Sequence, residues 1–167
     1  IAIEVARALE AAHAISIVHR DVKPDNILLV EDSDAPCGFS VKLIDFGLAL
    51  RRAPAVHGDE PPVAGTPAYM CPEYLSGEEA PGPLGDLWGL ATSAFVAMTG
   101  AEPYPGDTLS EVFKRVCADA APVPSKVARG VPSGFDAWFA KACARHPEDR
   151  YATAADLGNA LAEACPL

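Results

Sequence analysis

The chain has 167 residues, half of them hydrophobic and 22% charged, which suits one globular domain with its own core and gives no cause for a second. Its 13 Lys and Arg against 23 Asp and Glu leave a formal charge of −10. A nucleic-acid binder usually shows a basic face, so no nucleic-acid partner is expected, and no run approaches the ~18 apolar residues of a membrane span.

In chain order, Ile1, Val5, Leu9 and Ala12 recur at helical spacing with Glu4, Arg7 and Glu10 elsewhere on the wheel, which predicts an amphipathic helix ending near His13 to Ser16. Two β-prone runs follow, Ile27 to Val30 and Val41 to Ile44, around a turn-rich connector from Glu31 to Ser40; they read as a β-hairpin. From Asp45 to Pro83 the chain is rich in Pro, Gly and small residues and reads as loop. A buried helix is expected over Asp86 to Thr99, stopped by Gly100. Three more helices are expected around Leu109–Ala118, Ser133–Ala144 and Thr153–Ala164, with Ser133 and Thr153 as N-caps. The expected fold is mainly α with one small β-hairpin.

The five cysteines, Cys37, Cys71, Cys117, Cys143 and Cys165, include no C-x-x-C pair. Neither a disulfide framework nor a zinc site fits that spacing, so reduced, mostly buried thiols in a cytoplasmic chain are expected. No signal peptide is recognisable. The sequence opens on Ile1, already inside a helical pattern, so an upstream part is expected.

Chemistry concentrates at one end of the hairpin. Asn26 stands just before its first strand and Asp45 just after its second, and antiparallel pairing brings those two positions together. Asp21 and Lys23 lie in the approach to Asn26. Hard oxygen ligands beside a carboxylate and a lysine suit Mg²⁺ and a phosphate. Any one of these residues alone reads as a solvated turn residue; the set does not.

The sequence His19-Arg20-Asp21-Val22-Lys23-Pro24-Asp25-Asn26 resembles the catalytic loop of eukaryotic-type protein kinases, and Asp45-Phe46-Gly47 resembles their metal-binding motif. Gly65-Thr66-Pro67-Ala68-Tyr69-Met70-Cys71-Pro72-Glu73 is similar to the end of the activation segment, with Cys71 where the family usually has Ala. Asp86-Leu87-Trp88-Gly89-Leu90, Thr99-Gly100-Ala101-Glu102-Pro103-Tyr104 and Pro147-Glu148-Asp149-Arg150-Tyr151 resemble the family's later motifs, in the family's order. The late motifs are closest in style to bacterial members, which often carry a membrane segment elsewhere.

The resemblance implies a protein-kinase-like fold, large C-terminal lobe only, with the N-terminal β lobe absent. It sets a catalytic loop at 19–26, a metal motif at 45–47, an activation segment at 45–73 and a helical subdomain at 84–164. It implies Ser/Thr protein kinase chemistry with ATP and Mg²⁺ as cofactors and protein Ser/Thr hydroxyls as substrates. Asp21 would orient the hydroxyl and accept its proton, Asn26 and Asp45 would hold Mg²⁺, and Lys23 would reach the transferred phosphate and, with Thr66, help hold Asp21. Leu28 would lie under adenine. His19 would pack beneath the loop, Phe46 against the catalytic core, Glu73 and Arg150 would form a buried ion pair, and Asp86 would accept backbone hydrogen bonds from the catalytic loop.

The sequence departs from the family in two places. It contains no G-x-G-x-x-G loop, no strand lysine ahead of the first helix and no helix glutamate to pair with one, so little activity is expected of these residues alone. Between Asp45 and Glu73 the only hydroxyls are Thr66 and Tyr69, so Arg20 would need another anion than a phosphorylated side chain; Asp59 and Glu60 are the candidates. Two other readings stand beside the kinase: a non-catalytic kinase-like binding module or truncated gene product, and a small-molecule phosphotransferase. The second is disfavoured by Lys23-Pro24 and by the G-T-P-x-Y stretch.

Overall fold

The computed structural model describes residues 1–35, 37–46, 67–77 and 82–166. Helix α1 (Ala2–Ala14) opens the chain and buries Val5, Ala6 and Leu9. A short 3-10 turn (Pro24–Asn26) leads into β1 (Ile27–Glu31), which pairs antiparallel with β2 (Phe39–Leu43) in the register Ile27 to Leu43 and Leu29 to Val41. The second strand begins earlier than its apolar pattern suggests. Asp32 N–H donates to Gly38 O, and Gly38 N–H to Ala35 O, so the connector folds into tight turns and frees Phe39 and Ser40 for pairing. Gly38 has φ 75°, a value that suits a residue without Cβ.

The stretch after Asp45 is not loop throughout. Pro67–Tyr69 form a 3-10 turn and Pro72–Leu75 the short helix α2, too short for apolar periodicity to reveal them. Helix α3 (Pro83–Thr99) begins ahead of Asp86 because Pro83 fits the first helical turn, where no N–H is needed. Every residue from Asp86 to Phe95 is buried, as expected of a helix apolar on all sides. Gly100, φ 71°, ends it by donating its N–H to Val96 O.

After α3 come α4 (Leu109–Ala118), α5 (Pro124–Val127), α6 (Phe135–Ala142) and α7 (Ala154–Ala164), with α3 against α6 and α5, α1 against both α7 and α3, α4 against α2, and α7 against α6. Thr108 and Thr153 cap α4 and α7 through their hydroxyls. Ser133 does not cap α6: the N-cap is Gly134, which has no side chain to offer, because Phe135 N–H bonds back to Pro132 O in the entering turn. Arg145 donates to Val116 O and Asp119 O, both at 2.6 Å, and so satisfies carbonyls at the end of α4.

The core is continuous: Leu9, Leu87, Trp88, Leu90, Phe95, Phe135, Phe139 and Leu157 are all at most 1% exposed. Phe95 and Phe139 meet at 4.8 Å, joining α3 to α6. The thiols are less buried than composition suggests: Cys71 and Cys143 are buried, Cys117 and Cys165 half-buried, and Cys37 exposed on the hairpin connector. Among the described residues, no helix is long and apolar enough to cross a membrane.

Candidate active site

The segment between α1 and β1 is held against the start of α3 by one carboxylate. Asp86, 1% exposed, accepts the His19 N–H at Oδ2 (2.8 Å) and the Arg20 N–H at Oδ1 (2.7 Å). Those bonds span a turn in which Arg20 has φ 70°. A non-glycine side chain in that region costs about 1–3 kcal/mol, so the surrounding contacts must hold it there. A third donor joins them: His13 Nε2 lies 2.8 Å from Asp86 Oδ2. Gly89, one helical turn on from Asp86, lets the loop lie flat on α3; a Cβ there would stand 2.6 Å from Val22 O.

The turn delivers Asp21. Its Oδ2 accepts from Lys23 Nζ at 2.7 Å and from Asn26 Nδ2 at 3.1 Å, while the same Asn26 amide donates to Asp21 O at 2.7 Å. Both N–H bonds of Asn26 are therefore turned toward Asp21, which leaves its Oδ1 as the remaining polar atom. Among the described residues both side-chain bonds to Asp21 fall on Oδ2, and none falls on Oδ1. The Lys23 and Asp21 side chains are 17% and 12% exposed, shielded enough for the pair to be charge-assisted rather than merely superficial.

The hairpin completes the geometry. Ile44 N–H donates to Asn26 O at 2.9 Å, one bond beyond the strand ladder. Asn26 and Asp45 thus flank the same hairpin end, and Asp45, like Arg20, is left-handed with φ 62°. His19 is fully buried beneath; its Nε2 lies 2.9 Å from Ile44 O, and its Nδ1 accepts the Asp21 N–H at 3.3 Å. That pair of bonds requires the neutral tautomer protonated on Nε2. The Phe46 ring packs on His19 at 4.5 Å. Leu28 is 44% exposed, on the β1 face opposite Ile27 and Leu29.

A second buried cluster ties α2 to the lower helices. Arg150 donates to both Glu73 oxygens, at 2.7 and 2.8 Å, and to Ala144 O at 2.9 Å, while its guanidinium lies 4.9 Å from the Trp88 ring. Burial works to raise the Glu73 pKa, yet the hydrogen bond and charge of Arg150 prevail and hold it below the ordinary carboxylate value. Burial chiefly pushes the Cys71 thiol up to about 12, so a thiolate nucleophile at that site is disfavoured.

Asp21, Lys23, Asn26 and the Ile44–Phe46 end of the hairpin are thus brought together. Thr66, Gly47, Asp59 and Glu60 lie outside the described residues. Arg20 Nε is buried with no hydrogen-bond partner among the described residues. Sequence reasoning missed His13, which stands at the end of a helix with nothing around it to mark a role; the facing Asp86 is far along the chain.

Among the described residues no cluster of three or more His, Cys, Asp or Glu gathers as a tight metal site would require. Mg²⁺ makes no such demand: it takes one or two protein oxygens and completes its shell with water and phosphate. An Asn oxygen and one carboxylate fit that ion.

Residues 1–159 match the family described as protein kinase domain. The chain is 38% identical over 161 residues to serine/threonine-protein kinase PknH of Mycobacterium bovis, a match covering 96% of this chain and 26% of that protein. It is 41% identical over 163 residues to serine/threonine-protein kinase PknL of Mycobacterium tuberculosis, covering 95% and 39%. With PknK of Mycobacterium tuberculosis it shares 39% over 164 residues, covering 96% and 14%. The chain therefore spans well under half the length of these curated relatives. A mainly helical fold with a two-stranded hairpin, a family match over nearly its whole length and serine/threonine kinases as relatives agree, and the chain belongs to the protein kinase family.

Proposed function

We infer that this chain carries the catalytic loop of a serine/threonine protein kinase and serves transfer of the γ-phosphoryl group of ATP to protein Ser or Thr hydroxyls. The observation that supports this most is the polarity of the Asp21 carboxylate. Lys23 and Asn26 hold Oδ2 and fix the side chain, while Oδ1 takes no bond among the described residues and is the oxygen for a hydroxyl. Asp21 orients that hydroxyl and accepts its proton as the oxygen attacks phosphorus and the bond to the ADP oxygen breaks. Lys23 offers positive charge beside the transferred group. Asn26 Oδ1 and the Asp45 carboxylate would hold Mg²⁺, and Leu28 would supply an apolar surface under adenine. Mg²⁺, when bound, neutralises the phosphate charge that develops during transfer. Thr66 helps hold Asp21, and Asp59 or Glu60 supplies the anion for Arg20.

The 167 residues include no G-x-G-x-x-G stretch, so on their own they lack a backbone cradle for the phosphates. Removing one preorganised donor costs roughly 10²–10³ in rate, and here several go together. The 167-residue polypeptide by itself is expected to show no useful turnover.

The test is phosphotransfer from labelled ATP to a Ser/Thr-containing protein, catalysed by a fusion that places a Gly-rich, lysine-bearing lobe ahead of Ile1. Turnover that Asp21→Asn lowers by about 10²–10⁴ supports the reading. A folded fusion that binds Mg-ATP and transfers nothing returns the chain to the binding-module reading.

A further inference from the structure

Helix α4 presents an apolar edge to water. Its Val112 and Val116 are buried, and the helix packs against α2 and the 3-10 turn at Pro67–Tyr69. Leu109 and Phe113, one turn apart on one side of the helix, are left 71% and 41% exposed. Among the described residues Leu109 is the most exposed of the large hydrophobic side chains. Val123 and Val127, at the two ends of α5, are exposed as well.

The same stretch reverses the sign of the charge. Residues 108–131 carry Lys114, Arg115, Lys126 and Arg129 against Glu111 and Asp119, in a chain where 13 Lys and Arg face 23 Asp and Glu. The Glu111 carboxylate is turned to the start of α4, where it accepts the Asp107 N–H at 2.9 Å. The four basic side chains are all exposed, and none forms an ion pair among the described residues. Apolar side chains rimmed by positive charge fit a partner whose own apolar anchors are flanked by carboxylates. The acidic remainder of the surface repels such a partner, so it is steered to this face.

We propose that α4 docks acidic protein substrates, with Leu109 and Phe113 as apolar anchors and Lys114 and Arg115 as the charges that meet carboxylates. This rests on the kinase reading given above and names its substrate class. The position suits that task. Beside α4, Tyr69 and Met70 share a small hollow with Arg20 and Asp21, so a protein seated on the helix lies one layer from the proton acceptor. Affinity for the substrate protein then belongs to α4, while a hydroxyl elsewhere on that protein meets Asp21.

Binding to the 167-residue chain tests the face without any turnover. The probe is dephosphorylated casein, an acidic protein rich in Ser, followed by fluorescence anisotropy. It is expected to bind and to be released as salt rises from about 0.05 to 0.5 M, as charge contacts require. Leu109→Ser with Phe113→Ser is expected to weaken binding about tenfold, and so is Lys114→Glu with Arg115→Glu. All four side chains are exposed, so both variants should keep the wild-type urea midpoint. If the serine pair fails to fold, the charge-reversed pair decides alone. Wild-type affinity in a folded variant, or tighter binding of a basic histone than of casein, overturns the proposal. Self-association that the serine pair abolishes, with casein unbound, gives the face to a second copy of the chain instead.

In the fusion, the same substitutions are expected to raise KM for casein about tenfold with kcat and KM for ATP unchanged. Turnover of a short Ser peptide from casein, too small to span both places, is expected to stay at the wild-type rate. An equal loss on that peptide overturns the docking role. If the wild-type fusion transfers no phosphate, the kinase reading fails, and the binding result still decides whether α4 takes an acidic protein.

Discussion

At the residue scale, the chemistry depends on which atom of each polar group is already spent. Among the described residues, Asn26 gives both N–H bonds to Asp21 and keeps its oxygen, and Asp21 takes both side-chain donors on Oδ2 and keeps Oδ1. Two neutral-looking loop residues thereby become a metal ligand and a proton acceptor in the proposed reaction. Arg20 Nε has no partner among the described residues, and an unpartnered buried donor is costly. If Asp59 and Glu60 supply its anion, changing both to Ala lowers kcat in the fusion; an unchanged rate removes them from that role. The Glu73–Arg150 pair makes a stability prediction. Breaking a buried ion pair typically costs about 3–5 kcal/mol, so Glu73→Ala should lower the urea midpoint markedly at neutral pH. The Glu73 pKa is depressed when folded, so its contribution is complete above the ordinary value of 4.5 and is lost as pH falls through the folded pKa. The gap between wild type and variant should narrow below pH 4.5; a gap that stays constant in acid would deny the charge its part.

At the element scale, the loop over residues 19–26 is positioned by helices on either side of it. Helix α3 presents Asp86 to the loop and, one turn later, a glycine whose bare backbone admits Val22 O. Gly89→Ala would place a methyl 2.6 Å from that carbonyl, and no flexible side chain is there to give way. Overpacking of this kind costs about 1–3 kcal/mol, and the displaced loop should lose activity beyond that. Wild-type stability and rate in that variant would show the loop to be more compliant than the packing implies. Elsewhere the elements follow their local signals: the Thr153 hydroxyl accepts the Asp156 N–H at 3.0 Å, and Thr153→Ala should cost about 1 kcal/mol by thermal denaturation.

At the scale of the whole molecule, the hairpin leaves a run of apolar side chains open to water. Leu28 and Val30 on one face are each 44% exposed and Leu29 on the other is 52% exposed, and on the Leu29 side Ile27, Leu29, Pro24 and Leu90 border an apolar hollow of about 220 Å³. Surfaces of this kind drive association. The 167-residue chain should therefore bind an apolar dye and self-associate in sedimentation, and Leu29→Lys with Val30→Lys should shift it toward monomer. A chain already monomeric at high concentration would contradict this.

Much of this architecture was legible in order along the chain. The all-round apolar run ending at Gly100 read as a central helix because burial on every side demands it, and Thr153 read as a cap because its hydroxyl acts on its own neighbours. The hairpin read correctly in kind but not in its limits, since turns at Asp32 to Gly38 decide where pairing starts. Ser133 looked like a cap and is not, because the bond from Phe135 to Pro132 moved the boundary past it. Local pattern thus announced the long helices but not the short α2 and α5, and the ordered motifs pointed to Asp21, Lys23, Asn26 and Asp45 as one set. Only the tertiary structure decided which atoms of that set remain available and that His13 joins Asp86 behind it. Those facts depend on contacts between residues remote in sequence, which no local pattern encodes.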